Sequence, residues 1–138
     1  MRSIVVDAGA IDGLLDTTDR HHARAVEFFA SVRPNDRLVS TWPALTECFY
    51  LLERGQAALF EWLAASGVEV ADFALDDLPA MQRWAAAYRD REVDFADATL
   101  VWLAGRERTN FVATTDFNDF EAYRLPGGRR FRNLLARP

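Results

Sequence analysis

Short β-branched apolar runs alternate with longer amphipathic segments along this chain. Ser3-Ile4-Val5-Val6 reads as a buried strand that breaks off at Asp7. Ala8 to Leu15 follows as a short helix. Asp19 has the chemistry of an N-cap for a longer helix with Ala23, Val26, Phe29 and Ala30 on one face. Pro34-Asn35-Asp36 is a turn, and Arg37 to Ser40 is a second strand. Pro43 suits the first turn of a helix from Pro43 to Glu53, closed by Gly55. Another helix runs from Gln56 to Ala65 and stops at Gly67, before a third strand at Val68 to Val70. Asp76 and Pro79 open a helix reaching Tyr88, and the next runs from Phe95 to Gly105. Phe111 to Thr114 is a fourth strand. A turn-rich end follows, with Arg130 to Leu134 as a short final strand. Strands alternating with helices predict one α/β domain over residues 1–138, a mostly parallel sheet between two helical layers. In such sheets the site lies outside the carboxyl ends of the strands.

Composition narrows the chemistry. A chain of 138 residues, half of them hydrophobic, can bury a real core. All 16 basic residues are arginine. With no lysine, Schiff-base chemistry, a P-loop lysine and a lysine general base are excluded. Formal net charge is −5, unevenly spread: residues 1–123 hold all 21 acids and 11 arginines, and residues 124–138 hold five arginines and no acid. The single cysteine, Cys48, excludes an internal disulfide and a cysteine-rich zinc site, and its apolar neighbours make it a core residue. No apolar stretch approaches the ~18 residues of a membrane span, and the start of the chain does not resemble a signal peptide. The expectation is a soluble, cytoplasmic protein.

The acids fall where the sheet would place a site. Asp7 follows the first strand directly, and Asp116 comes two residues after Thr114. Glu47 lies in the first turns of the helix after the second strand. Asp94 and Asp97, three apart, share one face at the start of the Phe95 helix, and Asp119 is three beyond Asp116. Singly, each has an ordinary role as an N-cap, turn residue or solvated helix residue. Together they would repel, and Glu47 and Asp97 have apolar neighbours that make an uncompensated charge costly. Without lysine, arginine or a hard divalent cation must compensate. This pattern suits metal-assisted phosphoryl transfer.

Four segments carry a family resemblance: Ile4-Val5-Val6-Asp7; Glu47 in Pro43-Ala44-Leu45-Thr46-Glu47; Asp94-Phe95-Ala96-Asp97-Ala98-Thr99-Leu100; and Thr114-Thr115-Asp116-Phe117-Asn118-Asp119-Phe120. In order and spacing they resemble the PIN-domain ribonucleases, and more narrowly the VapC-type toxins of bacterial toxin–antitoxin pairs. The resemblance implies a three-layer α/β/α fold and Mg²⁺- or Mn²⁺-dependent RNA cleavage. It also implies a homodimer and a small VapB-type antitoxin occupying the active-site groove. By resemblance the metal-binding, catalytic acids are Asp7, Glu47, Asp97 and Asp116, with Asp94 and Asp119 as further metal-site acids. Thr115 would position the site through its hydroxyl. Many members carry a hydroxyl residue after the first aspartate, where this chain has Ala8-Gly9.

Other residues compete for a role. His21-His22 lacks a third ligand at zinc spacing and reads as a polar helix start. A phospho-acceptor role for Asp7 needs a lysine, and a dehalogenase-type phosphatase needs an acid where Gly9 stands. Ser40 and Thr41 lack a partner base. Trp62, Trp84 and Trp102 read as core or interface, Trp42 as a rim residue, Phe117 and Phe120 as core. Arg124, Arg129, Arg130 and Arg132 cluster around Pro126-Gly127-Gly128 and are candidates for RNA phosphate contacts or for pairing with the acidic body. Two other functions remain open: a catalytically silent RNA-binding or assembly module, and a metal-dependent nuclease or phosphatase with another substrate.

Overall fold

The structure, a computed structural model, describes residues 1–137. Its elements are β1 (Ser3–Val6), α1 (Ala8–Leu15), α2 (His22–Ser31), β2 (Arg37–Thr41), α3 (Trp42–Leu51), α4 (Gln56–Ser66), β3 (Glu69–Ala71), α5 (Leu78–Ala86), α6 (Phe95–Arg106), β4 (Phe111–Ala113), α7 (Phe117–Ala122) and β5 (Arg132–Asn133). A single 3₁₀ turn, Leu75–Asp77, leads into α5. The five strands form one sheet in the order β3-β2-β1-β4-β5, and every pairing is parallel. All strands therefore present their carboxyl ends at the same edge.

The pleat divides the core in two. Ile4, Val6 and Ala113 face one cluster, with Ile11, Phe28, Leu45, Cys48 and Leu59. Val5, Val39 and Val112 face the other, with Leu100, Leu103, Phe120 and Tyr123. This period-2 alternation on strands buried from both sides gives the expected α/β/α layering. Gly67 ends α4 in the left-handed conformation at φ 73°, a backbone state that glycine adopts without a Cβ penalty.

Two local readings are corrected. The helix expected after Asp19 begins only at His22. Asp19 instead forms a turn, accepting from the His21 backbone N–H at 2.7 Å. The face it buries is Ala25 and Phe28, with Phe29 half-buried, while Ala23, Val26 and Ala30 point outward. The contact with α1 sets this face: a Cβ on Gly13 would lie 3.3 Å from that of Ala25. The second correction is α7, which lies in the segment read as turns. Its six residues are too few for helical periodicity to show.

At the amino edge the sheet is closed by ion pairs. Arg37 reaches Glu69 at 2.8 Å and Glu107 at 3.1 Å, and Arg2 reaches Asp36 at 3.0 Å. Among the described residues no helix is long and apolar enough to cross a membrane.

Phe28→Ala is expected to lower the unfolding free energy by about 3–5 kcal/mol, and Val26→Ala to change it by less than about 0.5 kcal/mol. Urea denaturation of the two variants checks the assigned face; equal losses would contradict it.

Candidate active site

Asp7 ends β1 and caps α1. Its Oδ1 accepts from the Ala8 N–H at 2.7 Å, and its Oδ2 accepts from the Thr114 hydroxyl at 2.7 Å. The same Thr114 oxygen accepts from the Asp116 N–H at 2.9 Å. One hydroxyl thus ties the Asp7 carboxylate to the backbone of Asp116. Thr114, rather than Thr115, does this work. The Thr115 hydroxyl sits over Gly9, where any Cβ would collide with it.

Asp97 enters from α6. It is buried, at 4 % exposed, and its Oδ2 accepts from the Tyr123 hydroxyl at 2.8 Å. Tyr123 is itself fully buried, edge-on to Trp84, Tyr88 and Phe120. Asp94 caps α6 by accepting from the Asp97 N–H at 2.7 Å, so the two acids are locked together. Asp116 caps α7, with a long 3.4 Å contact from the Asp119 N–H. Asp119 is held from outside by Arg91, at 2.7 Å. Glu47, half-buried on α3, makes no hydrogen bond through its carboxylate among the described residues.

Carboxylate oxygens of Asp97, Asp116 and Asp119 lie within 4.8 Å of one another. Asp7, Glu47 and Asp94 fall outside that tight trio but share its field. Burial pushes the Asp97 carboxyl up to about 8, and the charges of Asp7 and Asp94 add to the push. Burial raises Glu47 to about 7, with Asp7, Asp94 and Asp116 contributing. Asp116 is raised to about 6 by desolvation and by Asp119, although the residue as a whole is exposed. Burial raises Asp7 too, against the two hydrogen bonds it accepts. All six candidate acids therefore meet at the carboxyl edge, as an electrostatic group with Arg91 on Asp119 as its one paired cation among the described residues.

The C-terminal arginines do not join them. Arg124 turns its guanidinium onto the carbonyls of Glu121, Ala122 and Tyr123 and so closes α7. Arg132 pairs with Phe111, the first residue of β4, and lies over its ring. The Arg130 carbonyl accepts from Asn110, and Arg129 lines a cavity with Gly105 and Thr109. These last three stand at the amino edge, at the other end of β4 from Asp116. Of the tail arginines, Arg137 pairs with Glu121.

Arg91 and Tyr123 are the site residues that sequence reasoning missed. They lie 28 and 26 residues from the acids they touch, with no local pattern to mark them. The other candidates settle as structure. His22 bonds the Gly13 carbonyl, and His21 is buried edge-on to Phe117. The Ser40 hydroxyl bonds the Val6 carbonyl, and Thr41 meets Thr99. Phe120 is core, and exposed Trp42 donates to Asp72. Burial pushes the Cys48 thiol up to about 12, which keeps it protonated.

The PIN domain family profile matches residues 4–125. Ribonuclease VapC26 of Mycobacterium tuberculosis (strain ATCC 25618 / H37Rv) is 29% identical over 133 residues, covering 93% of this chain and 97% of that protein. The solved structure of Mycobacterium tuberculosis VapC20, described as a sarcin–ricin loop cleaving toxin, superposes with a TM-score of 0.73 at 23% identity. That match covers 84% of this chain and 93% of the other. VapBC-1 from nontypeable Haemophilus influenzae superposes with a TM-score of 0.63 at 17% identity, covering 99% and 100%. The profile spans nearly the whole sheet and all six acids, so the chain belongs to the PIN-domain family.

Proposed function

We propose that this chain is a divalent-metal-dependent endoribonuclease, the toxin half of a VapBC-type toxin–antitoxin pair. The carrying observation is the trio Asp97, Asp116 and Asp119, with oxygens within 4.8 Å of one another beside Asp7, Glu47 and Asp94. This all-carboxylate donor set fits Mg²⁺ or Mn²⁺, with no histidine or cysteine to favour zinc. Asp7, Glu47, Asp97 and Asp116 would hold the ion, with Asp94 and Asp119 at the flank. When bound, such an ion supplies Lewis-acid activation of water and neutralises charge on the leaving oxygen.

The remaining work belongs to the chain's own residues. Thr114 and the Ala8 N–H fix the Asp7 carboxylate, and Tyr123 aims that of Asp97. Glu47, raised to about 7 by burial and by Asp7, Asp94 and Asp116, is the acid whose ionised form a bound cation would favour strongly near neutral pH. Arg91 brings a planar cation to the rim of the acids, where a phosphodiester would lie. Arg124, Arg129, Arg130 and Arg132 are assigned no part at the scissile phosphate. The RNA substrate follows from the ribonuclease relative. An antitoxin partner follows from the VapBC structures, and a basic side chain on it would complement the acidic edge. Tyr50, Leu51 and Phe60 stand exposed on α3 and α4 as apolar surface for a partner or a second copy.

Asp97→Asn, purified and folded, is expected to lose at least about a hundredfold in RNA cleavage with Mg²⁺ or Mn²⁺. DNA and a small phosphodiester should be poor substrates in the same assay. Cleavage that survives in this variant, or needs no metal, would reject the assignment.

Tyr123→Phe keeps the ring packing and removes only the donor to Asp97. Metal affinity is expected to fall about 10–100-fold at neutral pH, read by calorimetric titration, with a smaller loss at pH 9. An unchanged affinity would deny Tyr123 a positioning role.

The raised carboxyls also set a pH dependence. Between the unfolded values near 4 and the folded values of Glu47 and Asp97, the native state binds more protons than the unfolded one. Metal-free stability is therefore present at low pH and lost as pH rises toward about 8. His21, lowered by burial, acts oppositely only below about 6.5. Thermal unfolding in chelator should show a falling Tm between about pH 6.5 and 8. Asp97→Asn should flatten that fall, and Mg²⁺ should reverse it. A Tm that climbs across this window would overturn the reading.

A further inference from the structure

A second group of acids gathers at the other end of α1. Asp12, Asp16 and Asp19 each offer a carboxylate oxygen, and these oxygens lie within 4.8 Å of one another. Asp12 lies five positions beyond Asp7, about 7–8 Å along the axis of α1. Asp12 is buried, at 8 % exposed, and its Oδ1 has no hydrogen-bond partner. In the same turn the Nδ1 of His21, itself 9 % exposed, is also without a partner. A buried carboxylate oxygen with nothing to bond it is costly, and such atoms ordinarily find a donor or a cation.

The neighbouring cations are engaged elsewhere. Among the described residues no arginine pairs with Asp12, Asp16 or Asp19. Arg20 donates to the His21 Nε2, Arg24 to the Arg137 carbonyl, and His22 bonds the Gly13 carbonyl. Arg54 lines the adjoining cavity with Asp16 and Glu53 without pairing to either acid. Asp16 Oδ1 accepts from Thr18 and Asp19 Oδ1 accepts from the His21 N–H. Asp19 also shares a side-chain hydrogen bond with Asp12, whose carboxyl is pushed up to about 6 by burial and by these neighbouring charges, so a cation here would replace a shared proton. The cluster also lies at the C-terminal end of α1, where the helix field favours positive charge.

We propose that Asp12, Asp16 and Asp19 form a second divalent-cation site, distinct from the carboxyl edge of the sheet, taking Ca²⁺ or Mg²⁺ through oxygen ligands. The bound ion ties the C-terminal end of α1 to the turn that enters α2. It therefore braces the helix whose other end Asp7 caps. The donor set is all oxygen and reaches across a short Asp16-Thr17-Thr18-Asp19 turn, as hard cations require.

The test is calorimetric titration of the metal-stripped full chain with Ca²⁺ and with Mg²⁺ in separate runs, alongside thermal unfolding. Wild type is expected to bind at two classes of site. Asp97→Asn/Asp116→Asn should keep the α1–α2 site, and Asp12→Asn/Asp19→Asn should lose it. In the second variant the sheet-edge site should remain, and the folded state should form without the cation, checked by circular dichroism. Asp16→Asn, at a partly exposed position, gives a milder version: about tenfold weaker binding at this site only. The two runs tell Ca²⁺ from Mg²⁺ as the preferred ion. Unchanged stoichiometry and affinity in Asp12→Asn/Asp19→Asn would overturn the proposal, as would cation stabilisation undiminished in that variant. Persistence of both classes in Asp97→Asn/Asp116→Asn would count against the sheet-edge site and leave this one standing.

Discussion

Carboxylates crowded at one edge of a parallel sheet repel one another, and much of this structure answers that repulsion. Three of the six acids, Asp7, Asp94 and Asp116, are N-caps of α1, α6 and α7. Their charge therefore sits at the positive ends of helices. Thr114 and Tyr123 add hydroxyl donors to Asp7 and Asp97. Among the described residues Arg91 adds the one full positive charge in direct contact with the six, on Asp119. These are partial measures. Hydrogen bonds and helix ends lower a carboxyl pKa, yet desolvation still dominates at Asp97 and Glu47. The residual imbalance is what a hard cation would relieve, and protons relieve it when no cation is bound.

Part of this site could be read before any coordinates. Asp7 and Asp116 were legible because each follows an apolar run, and a parallel ladder brings all such run-ends to one edge. Asp97 was legible because an acid amid Phe95, Ala96, Ala98 and Leu100 has no cheap explanation as surface. Its tyrosine partner was not, since the contact depends on the packing of α7 against α6. Arg91 was invisible for the same reason: a loop arginine acquires an address only when the fold closes. The missed helix α7 is short and begins at a site residue, so its capping aspartate looked like a turn. The buried face of α2 was not legible because it is chosen by the close approach of α1, where Gly13 meets Ala25, and not by the local pattern of apolar residues.

The arginine-rich tail shows why charge totals carry a sign without a location. An acidic body with a basic end invites the idea that the two meet. In the fold Arg129, Arg130 and Arg132 are separated from the acidic edge by the length of β4, while Arg124 closes α7 and Arg137 pairs with Glu121. At the amino edge Arg37 and Arg2 pair with Glu69, Glu107 and Asp36, and Arg129, Arg130 and Arg132 stand there as well, so the acids of that edge are met by arginine. Among the described residues the acids of the carboxyl edge, Asp119 apart, are not. The electrostatic asymmetry of the molecule thus runs along the strands, and the formal net charge conceals it.

Helix α1 concentrates the same argument into eight residues. Its N-terminal end carries Asp7, and there the helix field, the Ala8 N–H and Thr114 all favour the carboxylate. Its C-terminal end carries Asp12 and Asp16, with Asp19 across the turn, and there the exposed carbonyl ends make the field hostile to negative charge. Identical side chains at the two ends therefore face opposite backbone electrostatics. At the first end the fold supplies much of the compensation itself. At the second it supplies little: Thr18 serves Asp16, the His21 N–H serves Asp19, and Asp12 Oδ1 is left with nothing. The strain of the α1–α2 corner is therefore concentrated on Asp12, pushed up to about 6 by burial and by Asp19 and Asp16, while Thr18 holds the Asp16 carboxyl below its ordinary value.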